Sequence, residues 1–186
     1  MSDFLWKAWW WVRWPLLVVV MGFVVLVGFR TKYLFDKDAS DKAVAQIHST
    51  KLTKEILYSN LPPEPDPKEN NATLAGIDSN KNGIRDDVER AIYFKHQDSE
   101  RITAAEYQYA KALQKEFTSV FDSATLVAVI QEEGRAFLCV GDNMAREDVE
   151  KMIFNTSQRE NWREEIREKY GTSYKLLKTS ECDISF

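Results

Sequence analysis

Asp78-Ser79-Asn80-Lys81-Asn82-Gly83-Ile84-Arg85-Asp86-Asp87-Val88-Glu89 decides how the chain is read. It fits, position for position, the pattern D-x-[DN]-x-[DN]-G-x5-E. Calcium is a hard cation that takes six to eight oxygens, and a twelve-residue loop supplies them from positions 1, 3, 5, 7, 9 and 12. Asp78, Asn80 and Asn82 offer side-chain oxygens at the first three of these positions. Ile84 offers its backbone carbonyl, so an apolar side chain is acceptable there. Asp86 reaches the ion directly or through a water, and Glu89 clamps it with both carboxylate oxygens. Gly83 stands where the loop turns sharply and φ is positive.

What flanks the loop decides which kind of loop it is. Downstream, Asp86 to His96 reads as helix. Upstream, Leu61-Pro62-Pro63-Glu64-Pro65-Asp66-Pro67 forbids a long entering helix. Only Asn71 to Gly76 remains, hardly more than a turn. Position 8, often aliphatic in paired EF-hands, is Arg85. The stretch resembles the solitary EF-hand-like loops of dockerin and thrombospondin type 3 repeats. The resemblance covers about a dozen residues and implies calcium as the ligand. Dockerins usually carry two loops with Asp at the twelfth position, whereas this chain has one loop and Glu89, so no dockerin partner is implied.

Beyond the loop, helical spacing continues. Asp86 to His96 turns Val88, Ala91, Ile92 and Phe94 inward. Asp98 or Ser99 caps a second helix with a stripe of Ile102, Ala105, Tyr109, Leu113 and Phe117. Asp122-Ser123 starts a third, apolar over Leu126, Val127, Val129, Ile130, Phe137 and Leu138, with Gly134 marking a close contact. Glu132-Glu133 beside Arg135 reads as its solvated face. Met144 or Ala145 to Phe154 is a fourth helix. Gln158 to Tyr170 is a fifth, with Trp162, Ile166 and Tyr170 on one face and Gly171 as its stop. No strand series alternates anywhere, so the class is all-α: a small helical bundle entered through the calcium loop.

Five of the six tryptophans, Trp6, Trp9, Trp10, Trp11 and Trp14, precede an uncharged run from Pro15 to Phe29. Trp9 to Phe29 makes about 31 Å of helix, enough for a hydrocarbon core of about 30 Å. Tryptophan rings suit the interface, Arg13 can snorkel, and Pro15 falls in the first turns. No small-residue cleavage site follows the run closely, so an uncleaved signal anchor is expected rather than a removed signal peptide. The organisation is then anchor 1–29, stalk and Pro-rich spacer 30–77, and calcium loop plus helical domain 78–186. Short helices are expected at Lys42–His48 and Lys51–Tyr58, the latter turning Leu52, Ile56 and Leu57 to one face. The Lys/Arg count around the span slightly favours the carboxyl side inside. The calcium loop and the two cysteines favour the domain outside, in the periplasm or extracellular space, and that orientation is adopted.

Cys139 and Cys182 are most simply one disulfide in an oxidising compartment. They lack the C-x-x-C spacing of a redox or zinc site. G-x-S-x-G, H-E-x-x-H and P-loop patterns are missing; His48 reads as isolated, and His96, near the exit of the loop's helix, has Glu100 nearby. No enzyme is therefore expected. A net charge of −4 with no basic stripe argues against nucleic acid, and no small-molecule substrate is evident. The expected function is a single-pass membrane-anchored envelope interaction module holding one structural calcium ion. The alternative is a metal-free accessory or scaffold subunit of a membrane complex.

Overall fold

The computed structural model describes residues 2–177 and 182–186, with side chains from residue 13 onward. The described residues form eight helices and no strand: α1 (Ser2–Ser49), α2 (Lys54–Leu57), α3 (Pro67–Asn70), α4 (Asp86–Lys95), α5 (Glu100–Thr118), α6 (Ser123–Val140), α7 (Asn143–Ile153) and α8 (Ser157–Tyr170). The chain divides into two compact units, Met1–Asp41 and Lys42–Phe186. The second takes in residues 42–77, read from sequence as stalk and spacer.

The first unit is helical. Within Arg13–Ser49 an 18-residue window has mean hydropathy 2.0 and none of it is buried, so the helix is long and apolar enough to cross a membrane. Leu16, Val18, Val19, Met21, Phe23 and Leu26 are all exposed. Pro15 lies inside α1 rather than in its first turns, because the helix already begins at Ser2. The side chains of Trp6, Trp9, Trp10 and Trp11, expected at the interface, lie outside the described residues. The expected break before Lys42 is missing. Residues 30–49 hold neither Gly nor Pro, and the Lys37–Asp41 pair at 2.7 Å adds a favourable i,i+4 contact.

In the second unit α5 is the central helix, packed chiefly on α6 and also on α7, α4 and α2. Ile84, Val88, Ile92, Leu113, Val149 and Ile153 form the centre of its core. Being central, α5 is buried from Thr103 to Glu116 at every position but Ala105, not along one stripe. Ile102 of the expected stripe is exposed, and Ala105 and Phe117 are only half-buried. Polar residues take their places because each finds a partner. The Lys111 ammonium donates to the Lys51 carbonyl, Lys115 to that of Ile47, and Gln114 to that of Ala75. Phe94, expected inside, is likewise exposed.

The reading of α6 is corrected the same way. Glu132, Glu133 and Arg135 are buried, while Phe137 and Leu138 are largely exposed. Glu132 accepts from His48, Lys51 and Arg135, and Arg135 also reaches Asp183 at 2.6 Å. Against the upward push of burial, those donors hold Glu132 down at about 2. Cys139 and Cys182 are joined by a disulfide, which brings Asp183 and Ile184 against the bundle. The close neighbour of Gly134 is Leu176 of the tail: a Cβ there would meet it at 3.0 Å.

Elsewhere the boundaries follow capping chemistry. Asp122 and Thr125 close a capping box at the start of α6. Asp142 caps α7 one residue earlier than expected, and Thr156 caps α8. Thr53 trims α2 to four residues. Pro67, expected to be extended, is the first residue of α3 and is capped by Asp66.

Candidate metal centre

Residues 78–85 form a bent loop that runs straight into α4, whose first turn holds Asp86 and Glu89, and no helix enters the loop directly. Two buried arginines do what an entering helix would otherwise do. Arg159 of α8, 1% exposed, donates to the carbonyls of Asn70, Thr73 and Leu74 and to the side chains of Asn71 and Asn155. Burial, and then the neighbouring Arg85 charge, push Arg159 down to about 10. Arg85, fully buried, donates to the carbonyls of Met152 and Ile153 at the end of α7 and grips Asp87 with two nitrogens.

The approach to the loop is equally constrained. Asn70 accepts from the Ile77 N–H at 2.9 Å. Gly76 sits at φ 68° with no room for a side chain, since a Cβ would come within 2.3 Å of Arg85 Cδ. A substituted residue there is strained by backbone and neighbour together.

Inside the loop the expected ligands hold its backbone and one another. Asp78 accepts from the N–H groups of Asn82 and Gly83 at 3.1 and 2.8 Å. Asn80 accepts from Asn82 N–H at 3.2 Å, and Asn82 accepts from Ile84 N–H at 2.8 Å. Asp86 accepts from Ser79 N–H, while its own N–H donates to the Ile77 carbonyl. Ile84 anchors the loop by its side chain, fully buried in the core. Gly83 takes φ 88° and Lys81 takes φ 56°, both in the left-handed region.

Glu89 is buried too, 2% exposed. Its Oε2 accepts from the Asn82 amide at 2.8 Å and the Asn80 amide at 3.1 Å. Among the described residues, no lysine, arginine or histidine forms an ion pair with Asp78, Asp86 or Glu89. Burial pushes the Glu89 carboxyl above its ordinary value. The Asn82 and Asn80 amides oppose that shift, while the Asp86 and Asp78 carboxylates add to it.

The structure thus brings Asn80 and Asn82 onto Glu89 and gives Asp78 and Asp86 to the loop backbone. Among the described residues, no group of three or more His, Cys, Asp or Glu side chains is placed to hold a metal ion. A cation here would depend on the two asparagine carbonyls and the Ile84 backbone as well as on the acids. That set is entirely oxygen, which suits a hard cation and no soft one.

The two histidines are not free. His48 contacts Glu132, and His96 contacts Glu106 at 2.9 Å; Glu100, expected beside His96, instead accepts from the Tyr58 hydroxyl. No protein-family model, curated protein or solved structure matches the chain.

The roles of Arg85 and Arg159 were missed from sequence. For Arg85 there was a signal, an arginine where paired EF-hands often have an aliphatic residue. Arg159 gave none, because its partners lie 85–89 residues away, apart from nearby Asn155.

Proposed function

We propose that this is a single-pass membrane-anchored protein whose extracytoplasmic helical domain binds one structural calcium ion at residues 78–89 and serves as an interaction module in the cell envelope. Asp78, Asn80, Asn82, Asp86, Glu89 and the Ile84 carbonyl hold the ion. The observation that carries this reading is Glu89, a nearly inaccessible carboxylate beside Asp78 and Asp86 that is met only by neutral amides. A divalent cation would relieve that repulsion, so its binding adds to folding stability. The exposed apolar helix supports the anchor. The Cys139–Cys182 bond and the millimolar calcium of extracytoplasmic spaces support the orientation.

An affinity of about 10⁻⁴ to 10⁻³ M is expected, as for extracellular modules. The test is calcium titration of the full chain in lipid nanodiscs by calorimetry and thermal melting, with Asp78→Ala alongside. No heat and no melting shift in the wild type would end the proposal, as would an unchanged titration in the variant.

A second reading is a metal-free accessory or scaffold subunit of a membrane complex. The Asn80 and Asn82 amides, which already satisfy Glu89 Oε2, favour it. Copurification in detergent of a partner that survives chelator, from a chain that gives no calcium heat, distinguishes the two.

A further inference from the structure

The end of α4, the first half of α5, the end of α6, the start of α7 and the disulfide-tied tail line an open cavity of about 800 Å³. It lies apart from the loop and lacks every expected calcium ligand. Its most unusual wall residue is Glu106, which has no exposed surface. One oxygen, Oε1, accepts from His96 Nε2 at 2.9 Å and lies 3.7 Å from the Lys95 ammonium. The other oxygen, Oε2, has no hydrogen-bond partner. A buried carboxylate oxygen left unmatched costs more than a matched one gains, so such a group is a place where a donor belongs.

The rest of the cavity says what kind of donor. Ile102, Met144 and Phe186 line it and are exposed, at 44%, 78% and 61%. Singly exposed apolar residues need no explanation. They stand in a mixed wall that also holds Lys95, His96, Arg101 and Asp148, so the cavity offers contacts to an apolar body and anchors to a polar group. The charge of Glu106 already has Lys95 beside it, and Lys95 is itself tied to Asp148 at 2.9 Å. A neutral O–H therefore suits Oε2 better than an ammonium group.

We propose that this cavity binds a small apolar molecule carrying a neutral hydroxyl, the hydroxyl donating to Glu106 Oε2 once the side chains that cover it give way, and the apolar body lying on Ile102, Met144 and Phe186. Sequence reading alone shows no such ligand, because it places His96 near Glu100 and not against Glu106.

The methionines supply the test. Of the four, Met144 lines the cavity, Met21 lies in the apolar run of α1 and Met152 packs against the core. The full chain, labelled with ¹³C-methyl methionine in lipid nanodiscs, is titrated with phenol and with anisole, which has the same body and no donor. The expected result is a saturable shift of the Met144 methyl with phenol at a Kd at least about ten-fold below that for anisole. Met152 stays still, and Met21 reports any partition into lipid. Glu106→Leu abolishes the preference and Glu106→Gln, which keeps an acceptor, retains it. Equal affinities in the wild type, no saturable shift at Met144, or a preference that survives Glu106→Leu would each overturn the proposal. If Glu106→Leu fails to fold, the wild-type ratio of phenol to anisole decides alone.

Discussion

Asn82 donates its side-chain N–H to the Glu89 carboxylate at 2.8 Å, so the fifth and twelfth positions of the loop are in direct contact. The contact leaves a buried negative charge answered by a dipole rather than by a cation. Glu89→Gln removes that charge and is expected to leave the calcium-free protein as stable as before or more so. It is also expected to abolish the calcium-dependent rise in melting temperature. With 10 mM calcium and the affinity proposed above, the wild type gains about 1.4–2.7 kcal/mol. Differential scanning calorimetry of both chains, with calcium and with chelator, measures this. A variant that keeps the wild-type gain contradicts the assignment of Glu89.

Two carboxyls with raised pKa and one with a lowered pKa give the domain a peaked acid profile. Glu133 is pushed well above the ordinary range by burial and by Glu116, against Arg167 and Arg163, and Glu89 is also raised. For both, the folded state holds a proton that the unfolded state has released, so calcium-free stability rises as pH falls through their raised values toward the ordinary 4.5. Glu132, held at about 2, acts oppositely: its contribution is complete above 4.5 and is lost as pH falls toward 2. Urea unfolding between pH 3 and 7 should show the maximum. Glu133→Gln should flatten its upper limb and Glu132→Gln its lower one.

Arg159→Leu should cost about 3 kcal/mol or more, because three carbonyls and two side-chain amides lose a charged donor at once. The specific sign is local. Amide exchange at Gly76 and Ile77 should accelerate more than that of residues in α6. Uniform acceleration would mean that the arginine supports the whole bundle and not the loop approach in particular.

Replacing Cys139 and Cys182 together by Ala should cost about 4 kcal/mol in the chain-entropy account of a bridge with sequence separation 43. The tail carries Asp183, which accepts from Leu52 N–H and from Arg135. Urea unfolding of the double variant measures the loss, and a change below about 1 kcal/mol would show that Asp183 and Ile184 hold the tail without the bond.

The all-helical class, the starts of α5 and α6, the stop of α8 and most helix boundaries after the loop were legible in the sequence, because they depend on residues within a few positions of one another. Ser99, Asp122 and Gly171 stand where local chemistry puts helix ends. The disulfide was legible because two cysteines allow one intrachain pairing. Burial on α5 and α6 was not. Periodicity assigns Lys111, Lys115, Glu132 and Arg135 to solvent because it cannot see the partners, Lys51, Ile47, His48 and Asp183, that make their burial tolerable. Lys115 shows the cost that remains: burial, then the like charges of Lys111 and Lys51, push it down to about 8 against the pull of Glu132. The loop itself was legible as a pattern, whereas its fastening by two arginines was not.

That fastening fixes an order of events during synthesis. The loop leaves the ribosome well before the groups that shape it. The acceptors of Arg85 follow 67–68 residues later, and Arg159 reaches back 85–89 residues to the segment before the loop. A growing chain therefore carries all twelve loop residues long before it can hold them in place. An early part of the domain takes its shape late, and a chain ending before α7 and α8 would carry the motif without its frame.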